Sequence, residues 1–430
     1  MVFVCLDTAR ADHLGCYGYD RGTSPNLDRL AERSVVFDDV LSPSSWTLPV
    51  LASVMTGLYP HEHGALYFRT PIRKNTFRLP EQLKKVGMAT AALGQFPFHF
   101  PFYRFEAGFD LFAQKWSQLA PKTTGQALRW LRERGGGDRG FFLWTHYFEP
   151  HVPYEMQIDS IGFYRSGYRG ELYRVFDPNL TLKLADEQTP QARADRKRIV
   201  ELYDGEIYCA DKYLGWILAE LGRLGMMDNT MVIVTADHGE HFGEHGLVEH
   251  GNSLYEELVR VPLVIFAPGC RPRRCGQLVS LIDVVPTILD FLELPAQQLS
   301  GCSLMPALQG GKPPQRILFS TLDTAASVIF VPDGRNPSKI EAKDTIIQNI
   351  KLVRDGSRKL IYDAKRRTYE LYDVAKDRHE QENLLADGAP PDDLKKQLDD
   401  WLFAMERYKP TVAAPDPAVI EAMKTLGYIQ

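Results

Sequence analysis

Residues 1–7 read Met-Val-Phe-Val-Cys-Leu-Asp, and this stretch decides the fold. The unbroken apolar run from Val2 to Leu6 fits a strand covered on both faces, as in a parallel sheet, and it stops on a carboxylate, Asp7. The same pattern recurs along the chain. Val35–Phe37, Ala89–Leu93, Gly140–Trp144, Thr230–Thr235 and Pro262–Ala267 are further short strands. Helical stretches lie between them. Ser24-Pro25-Asn26 opens a helix carrying Leu27, Leu30 and Ala31. Leu79–Val86, Gln126–Arg134 and Lys197–Leu224 follow, the last keeping Tyr203, Ile207, Ala210 and Leu214 on one face. Strands alternating with helices predict an α/β fold with a doubly wound, mostly parallel sheet flanked by helices. In such sheets the site forms beyond the carboxyl ends of the strands. Asp7 and Asp237 each stand just past an apolar strand, where that site would be.

At 430 residues the chain exceeds what one core usually fills, so two units of unequal size are expected. Gly310-Gly311-Lys312-Pro313-Pro314 breaks the composition and separates a catalytic α/β domain, 1–311, from a small C-terminal α+β subdomain, 315–430. In the second unit Ile317–Thr321, Ile346–Arg354, Lys359–Tyr362 and Thr368–Tyr372 read as antiparallel strands, and Asp392–Arg407 as a helix. A net charge of -5 and a pI near 6.2 argue against a nucleic-acid partner, which needs clustered positive charge. No apolar run approaches the roughly 18 residues of a membrane span. The opening also lacks a charged n-region and cleavage site. As written the chain therefore reads as cytoplasmic, and as periplasmic or secreted if an upstream leader belongs to it. The six cysteines show no metal-binding spacing and read as free thiols. Cys270 and Cys275 are the pair whose turn-like spacing could close on oxidation. Self-association is left open.

Ten of the eleven histidines lie at or before His250, which concentrates imidazole chemistry in the N-terminal portion. Four segments stand out there: Asp7–Asp12; Trp46–Pro49 leading to Thr56–Pro60; His146–Tyr154; and Asp237–Glu240 running through His245 to Gly251. Singly, each has a structural explanation, since an Asp after a strand often caps a helix and Asp-His-Gly often turns. Together they offer a ligand set. Asp7, Asp237 and His238 supply two oxygens and a nitrogen at neighbouring strand ends. Thr47 supplies a hydroxyl, and Pro49 and Gly57 mark the first turn and the stop of a helix with Thr47 as its N-terminal cap. A helix start favours an anion beside Thr47. A hydroxyl on a cation at an anion-binding helix end is a poised nucleophile for phosphoryl or sulfuryl transfer.

On these residues the chain resembles the sulfatase family of the alkaline-phosphatase superfamily. The matching stretches are Asp7–Tyr19, Ser24–Asp28, Thr56–Pro60, Glu149–Tyr154, Asp237–Glu240 and His250–Tyr255. Val261–Leu263, Asp283–Thr287, Tyr369–Asp373 and Glu382–Leu384 extend the match in the family's order over almost the whole chain. The resemblance implies a large α/β domain with a small C-terminal sheet-and-helix unit, one catalytic metal, and cleavage of sulfate or related esters.

Four departures modify that expectation. Thr47 stands where the family carries the Cys or Ser that becomes formylglycine, and Leu51 stands where Arg belongs. Oxidising a secondary alcohol gives a ketone, so no formylglycine is expected. Thr8 replaces a second metal-binding Asp, His238 an Asn, and Gln95 lies near the position of an active-site Lys. The Asp/Thr/Asp/His set is softer than an all-oxygen cage. It suits one divalent metal, zinc or manganese ahead of calcium. It resembles the sites of phosphodiesterases, phosphonate hydrolases and phosphoethanolamine-type transferases of the superfamily. A phospho-threonine can be hydrolysed at phosphorus, whereas a sulfo-threonine lacks the second hydroxyl that expels sulfate from a formylglycine hydrate. The expected substrate is thus a small anionic ester, with phosphodiesters or phosphonate monoesters first. Alternatives are a sulfatase proper and a non-catalytic anion-binding relative. His151 and His250 match positions from which the family contacts the transferred anion or protonates the leaving oxygen, so both are candidate general acids. Arg10, Gln95, Glu149, His146 and His241 are expected against the substrate or behind the ligands, with Arg10 organising the strand-end loop. His146, His241 and His245 could alternatively belong to another metal site. His61 and His63 are expected in solvent, and the aromatic run Phe96–Phe105 in the core or a pocket wall.

Overall fold

The computed structural model describes residues 1–67, 70–95, 101–114, 119–134, 139–164, 167–168, 170, 172, 189–327, 331–333, 336–341, 346–385 and 388–408. An eight-stranded sheet forms its centre. In chain order the strands are β1 (Val2–Leu6), β2 (Val35–Phe37), β3 (Ala89–Gly94), β4 (Leu111–Gln114), β5 (Phe141–Tyr147), β6 (Val232–Thr235), β7 (Leu263–Phe266) and β8 (Arg273–Cys275). Across the sheet they run β8-β2-β7-β6-β1-β5-β3-β4. β1 is central and parallel to both neighbours, β5 and β6. All five of its residues are buried, which is why its sequence shows no polar alternation. β7 alone runs against the rest, antiparallel to β6 and β2. The segment joining β6 to β7 carries no α-helix longer than the four-residue Glu256–Val259, and without a full crossover helix the next strand returns antiparallel.

The helices that bear on the site are α1 (Thr47–Thr56), α2 (Ala120–Arg134) and α3 (Pro190–Arg223). Every residue of α1 is buried, so it is apolar all round rather than striped. It stops at Gly57, whose φ of 70° is the left-handed conformation glycine takes at no steric cost. Its start corrects the expectation by one residue. Trp46 occupies the cap position with extended backbone, and Thr47 is the first helical residue. The Thr47 side chain is therefore free of capping duty. Leu51, one turn on, is fully buried, a contribution of about 2 kcal/mol by apolar burial. α3 begins earlier than its apolar stripe suggested, because Pro190 sits in the first turn and the Thr189 hydroxyl accepts the Ala192 N–H at 3.0 Å.

A second, antiparallel sheet contains β9 (Leu318–Ser327), β10 (Ile346–Asp355), β11 (Arg358–Asp363) and β12 (Thr368–Asp373), in that spatial order. Helix α4 (Asp392–Glu406) buries Leu394, Leu398 and Trp401 in one cluster with Val353 and Leu360. Tyr59 and Ile282 from the first 311 residues join the same cluster, so the second sheet shares its core with the first part of the chain. Polar contacts tie the two together as well. Thr321 N–H donates to Pro43 O at 3.0 Å, three residues before Trp46. Lys359, fully buried, reaches Glu256 at 3.0 Å and Glu380 at 2.8 Å. Among the described residues no helix is long and apolar enough to cross a membrane.

Candidate active site

Three strand ends build the site. Register places Cys5 of β1 beside both Thr235 of β6 and His146 of β5. The Asp7 N–H continues the ladder to Tyr147 O at 2.8 Å. Asp7, Asp237 and His238 are all fully buried, and one ligand atom from each lies within 4.8 Å of the others. His238 Nε2 is 3.9 Å from Asp7 Oδ1, 3.5 Å from Asp237 Oδ2 and 3.2 Å from Thr47 Oγ1. Thr47 joins the cluster from the first turn of α1.

Each donor is held from behind by a different bond. Asp237 Oδ1 accepts the backbone N–H groups of Thr8 at 3.2 Å and His238 at 3.0 Å. Asp7 Oδ2 accepts from His146 Nε2 at 3.0 Å. His238 Nδ1 donates to Gly239 O at 2.9 Å, which leaves Nε2 with its lone pair turned to the cluster. Thr8 provides its N–H from a left-handed φ of 54°, a strained conformation for a β-branched residue. Its hydroxyl is already committed to Pro150 O at 2.6 Å, so Thr8 backs the site and is not among the clustered donors.

Two oxygens have no such partner. Asp7 Oδ1 and Asp237 Oδ2 are buried without any hydrogen bond. A buried unsatisfied acceptor costs about 1–3 kcal/mol, and more when charged. Burial and the charge of Asp237 push the Asp7 carboxyl well up. Burial also opposes ionisation of Asp237, but His238, His146 and the two backbone N–H groups hold it below its ordinary range. Two orphaned carboxylate oxygens, an imidazole nitrogen and a hydroxyl converging on one point fit a divalent cation.

Beside this cluster lies a second group of imidazoles. The His250 ring packs 4.5 Å from His238 and 4.8 Å from His151 between centroids. His250 Nδ1 bonds Glu240 Oε1 at 2.8 Å. His151 stacks on Phe148 at 4.2 Å and donates from Nδ1 to Val152 O at 2.5 Å. Burial pushes His250 down to about 4 and His151 down to about 3, so both rings are neutral near pH 7 in the ligand-free site. The negative charge of a bound ester is what would draw a proton onto either.

The remaining residues singled out by sequence divide into near and far. Arg10 organises its loop as expected, donating to Asp12 through Nε and Nη2, and to Glu240 O at 2.9 Å and Glu244 Oε1 at 2.8 Å through Nη1. Gln95 is buried at the end of β3, its N–H directed to His146 O at 3.4 Å. Glu149 Oε1 accepts the Ala120 N–H at 2.5 Å, at the start of α2. His241 bonds Ser253 Oγ at 2.9 Å, and His245 stacks on Tyr255 at 3.8 Å; neither joins the clustered donors. His61 and His63 are buried, against the expectation of solvent. The short helix Pro60–His63 packs against the second sheet's helix, with His61 5.2 Å from Trp401 and His63 Nε2 3.0 Å from Ser53 Oγ. All six cysteines are free, Cys270 and Cys275 included. Of the aromatic run, residues 96–100 fall outside the described residues, while Tyr103 and Phe105 are core. Sequence reasoning gave no part in the site to Glu240 or Tyr154, and saw Tyr203 only as part of an apolar helix face. The Asp-His-Gly-Glu stretch contains Glu240, but nothing local indicates that its partners are Tyr154 and His250.

The chain is similar to known proteins in sequence and in fold. The family described as "Sulfatase" matches residues 1–294. The chain is 27% identical to the human N-sulphoglucosamine sulphohydrolase, over 95% of this chain and 90% of that protein. Its fold is shared with a protein solved with its substrate D-glucosamine-2-N,6-O-disulfate, at a TM-score of 0.76 and 19% identity, over 95% of this chain and 98% of that one. The phosphonate monoester hydrolase of Agrobacterium radiobacter gives 0.72 and 20%, over 96% and 99%.

Proposed function

The chain belongs to the sulfatase family, and from that premise we propose that it hydrolyses a monoanionic phosphorus ester, a phosphodiester or phosphonate monoester, with Thr47 as nucleophile. Ester hydrolysis recurs among its relatives, which include an N-acetylglucosamine-6-O-sulfatase and a phosphonate monoester hydrolase, and this sets the non-catalytic reading aside. Members of the family bind a divalent metal at an Asp-rich site. Here Asp7, Asp237, His238 and Thr47 would hold it, with zinc or manganese preferred to calcium because one donor is an imidazole. When bound, the cation supplies positive charge that stabilises the Thr47 alkoxide and the transferred group.

The chain's own groups do the rest. Thr47 Oγ1 bonds to phosphorus as its proton passes to water, the ester oxygen leaves with a proton from His250 or His151, and water then cleaves the phospho-threonine. The observation that carries this reading is Thr47 Oγ1 at 3.2 Å from His238 Nε2, beside two carboxylate oxygens with no other partner. Leu51 is buried in the core of α1 in place of a guanidinium, which leaves less fixed positive charge and favours monoanions over phosphate-monoester dianions. We assign residues 1–311 as the catalytic unit and 315–430 as its packing partner.

A second reading, a sulfate-ester hydrolase, is favoured by the match to the family described as "Sulfatase" and by the likeness to an N-acetylglucosamine-6-O-sulfatase. A substrate panel decides between them: aryl sulfate, aryl phosphodiester and aryl phosphonate monoester, each with zinc, manganese or calcium. A higher kcat/KM on the phosphorus esters supports the proposal. Multiple turnovers on aryl sulfate at a higher kcat/KM overturn it.

A further inference from the structure

Glu240 contributes nothing to the clustered donors, yet it is buried and both of its oxygens are engaged. Oε1 faces His250 Nδ1 at 2.8 Å, and Oε2 accepts the Tyr154 hydroxyl at 2.9 Å. The pair is anchored further. Tyr154 packs on Tyr203 at 5.5 Å and on Phe242 at 6.3 Å between centroids, and the Tyr203 hydroxyl donates to Thr8 O at 2.7 Å. A chain of contacts thus runs from the backbone beside Asp7 through Tyr203, Tyr154 and Glu240 to His250.

An isolated imidazole can carry its single proton on either nitrogen, and the tautomer is set by the bond one nitrogen makes. Glu240 Oε2 already accepts the Tyr154 hydroxyl, and Oε1 at 2.8 Å from Nδ1 is placed to accept the hydrogen that this nitrogen of His250 carries. Nε2 is then the nitrogen left to meet a substrate. The same carboxylate stabilises the imidazolium that forms whenever Nε2 takes up a proton, as a buried acid does for the base of a catalytic triad. The ring is also sandwiched against His151 and His238, so it has little freedom to flip. We propose that Glu240 is the positioning residue for His250, holding a hydrogen on Nδ1 so that Nε2 faces the leaving oxygen; the proton that Nε2 hands to that oxygen is one it has taken up from water, and water restores it after each turnover. This rests on the hydrolase reading above, in which His250 supplies that proton. Tyr154 is the strut that holds Glu240, and its loss would let the carboxylate rotate away.

The experiment compares E240Q, E240A, Y154F, H250A and E240Q/H250A on two phosphodiesters of equal charge, one with a nitrophenolate leaving group and one with an alkoxide. Only the alkoxide needs a proton on departure. E240Q should lower kcat on the alkoxide diester by about 10²-fold, and by at least roughly tenfold less on the nitrophenyl diester, with KM little changed. The double variant should be no slower than H250A, since both changes remove one function. Equal losses on the two leaving groups, or additive losses in the double variant, overturn the proposal. A second measurement stands apart from turnover. Nitrogen-15 imidazole spectra of the zinc-loaded protein should show His250 as the Nδ1–H form, and E240A should lose it. A wild-type Nε2–H form overturns the positioning role. Absence of any ester turnover by wild-type enzyme would strike the hydrolase reading instead, leaving the tautomer to decide this one.

Discussion

Thr47 Oγ1 and His238 Nε2 stand 3.2 Å apart although the residues are separated by 191 positions in the chain. The contact joins the first turn of a wholly buried helix to the end of a central strand. Neither side chain has much room to turn, because α1 is buried on every face and His238 is pinned by Gly239 O.

From that contact, T47A is expected to lose turnover by on the order of 10⁴-fold, as removal of a nucleophile does. T47S should retain far more. Intact mass and peptide mapping of the wild type should show unmodified threonine at 47. Undiminished T47A activity would mean that water attacks directly.

Metal should stabilise the fold through Asp7 and Asp237. At 100 times its dissociation constant a native-state ligand adds about 2.7 kcal/mol. Zinc or manganese should therefore raise the wild-type Tm, and D7N and D237N should lose the shift. Without metal, D7N is expected to melt above the wild type, because it removes one of two apposed buried carboxylates. A D7N protein less stable than metal-free wild type would contradict the electrostatic picture.

His146 holds Asp7 Oδ2 at 3.0 Å from within the sheet. H146A should weaken metal affinity by about 10–100-fold, the usual consequence of removing a group that orients a ligand. Competition with a chelator measures it. Unchanged affinity would make His146 a packing residue only.

Lys359 is fully enclosed between Glu256 and Glu380. K359M leaves buried Glu380 without its cation and Glu256 with Arg354 alone, and should cost about 3–5 kcal/mol in urea unfolding. The K359M/E256Q/E380Q variant should recover much of that loss. If it does not, the network's charges are not what K359M disturbs.

Glu206, in the middle of α3, is pushed up to about 8 by burial, with the Glu155 N–H and Gln157 amide opposing the rise. Its folded pKa lies above the unfolded value near 4.5, so its contribution is fully present below about 4.5 and is lost as pH rises towards 8. E206Q should match the wild type in stability at pH 4.5 and exceed it at pH 9. Parallel Tm curves across that window would show Glu206 to be ionised throughout.

Much of this was legible in the chain, for local reasons. Strands β1, β2 and β6 announce themselves because residues buried on both faces must be apolar, and Asp7 and Asp237 stand out as the first polar residues past their ends. The second sheet was nearly as plain: β10, β11 and β12 fall within one residue of their expected limits, while β9 runs on past Thr321 to Ser327. Helix α1 was recognisable from Pro49 and Gly57, but its cap shifted from Thr47 to Trp46, since a cap is a matter of one residue's ψ.

What the sequence alone determined was most of the inventory: six of the eight central strands and the donors that stand at their ends, while the edge strands β4 and β8, the latter within the stretch read as a turn between Cys270 and Cys275, were missed. It could not determine pairing among groups far apart in the chain. That β7 runs antiparallel, that Glu149 serves a helix start while Glu240 holds His250, and that His61 and His63 are interior all depend on what packs against them. Local pattern reports how a residue's backbone folds and whether its side chain is buried. The identity of its partner is set by register across the sheet and by the docking of α1 and α3, and those arise only when the whole core closes.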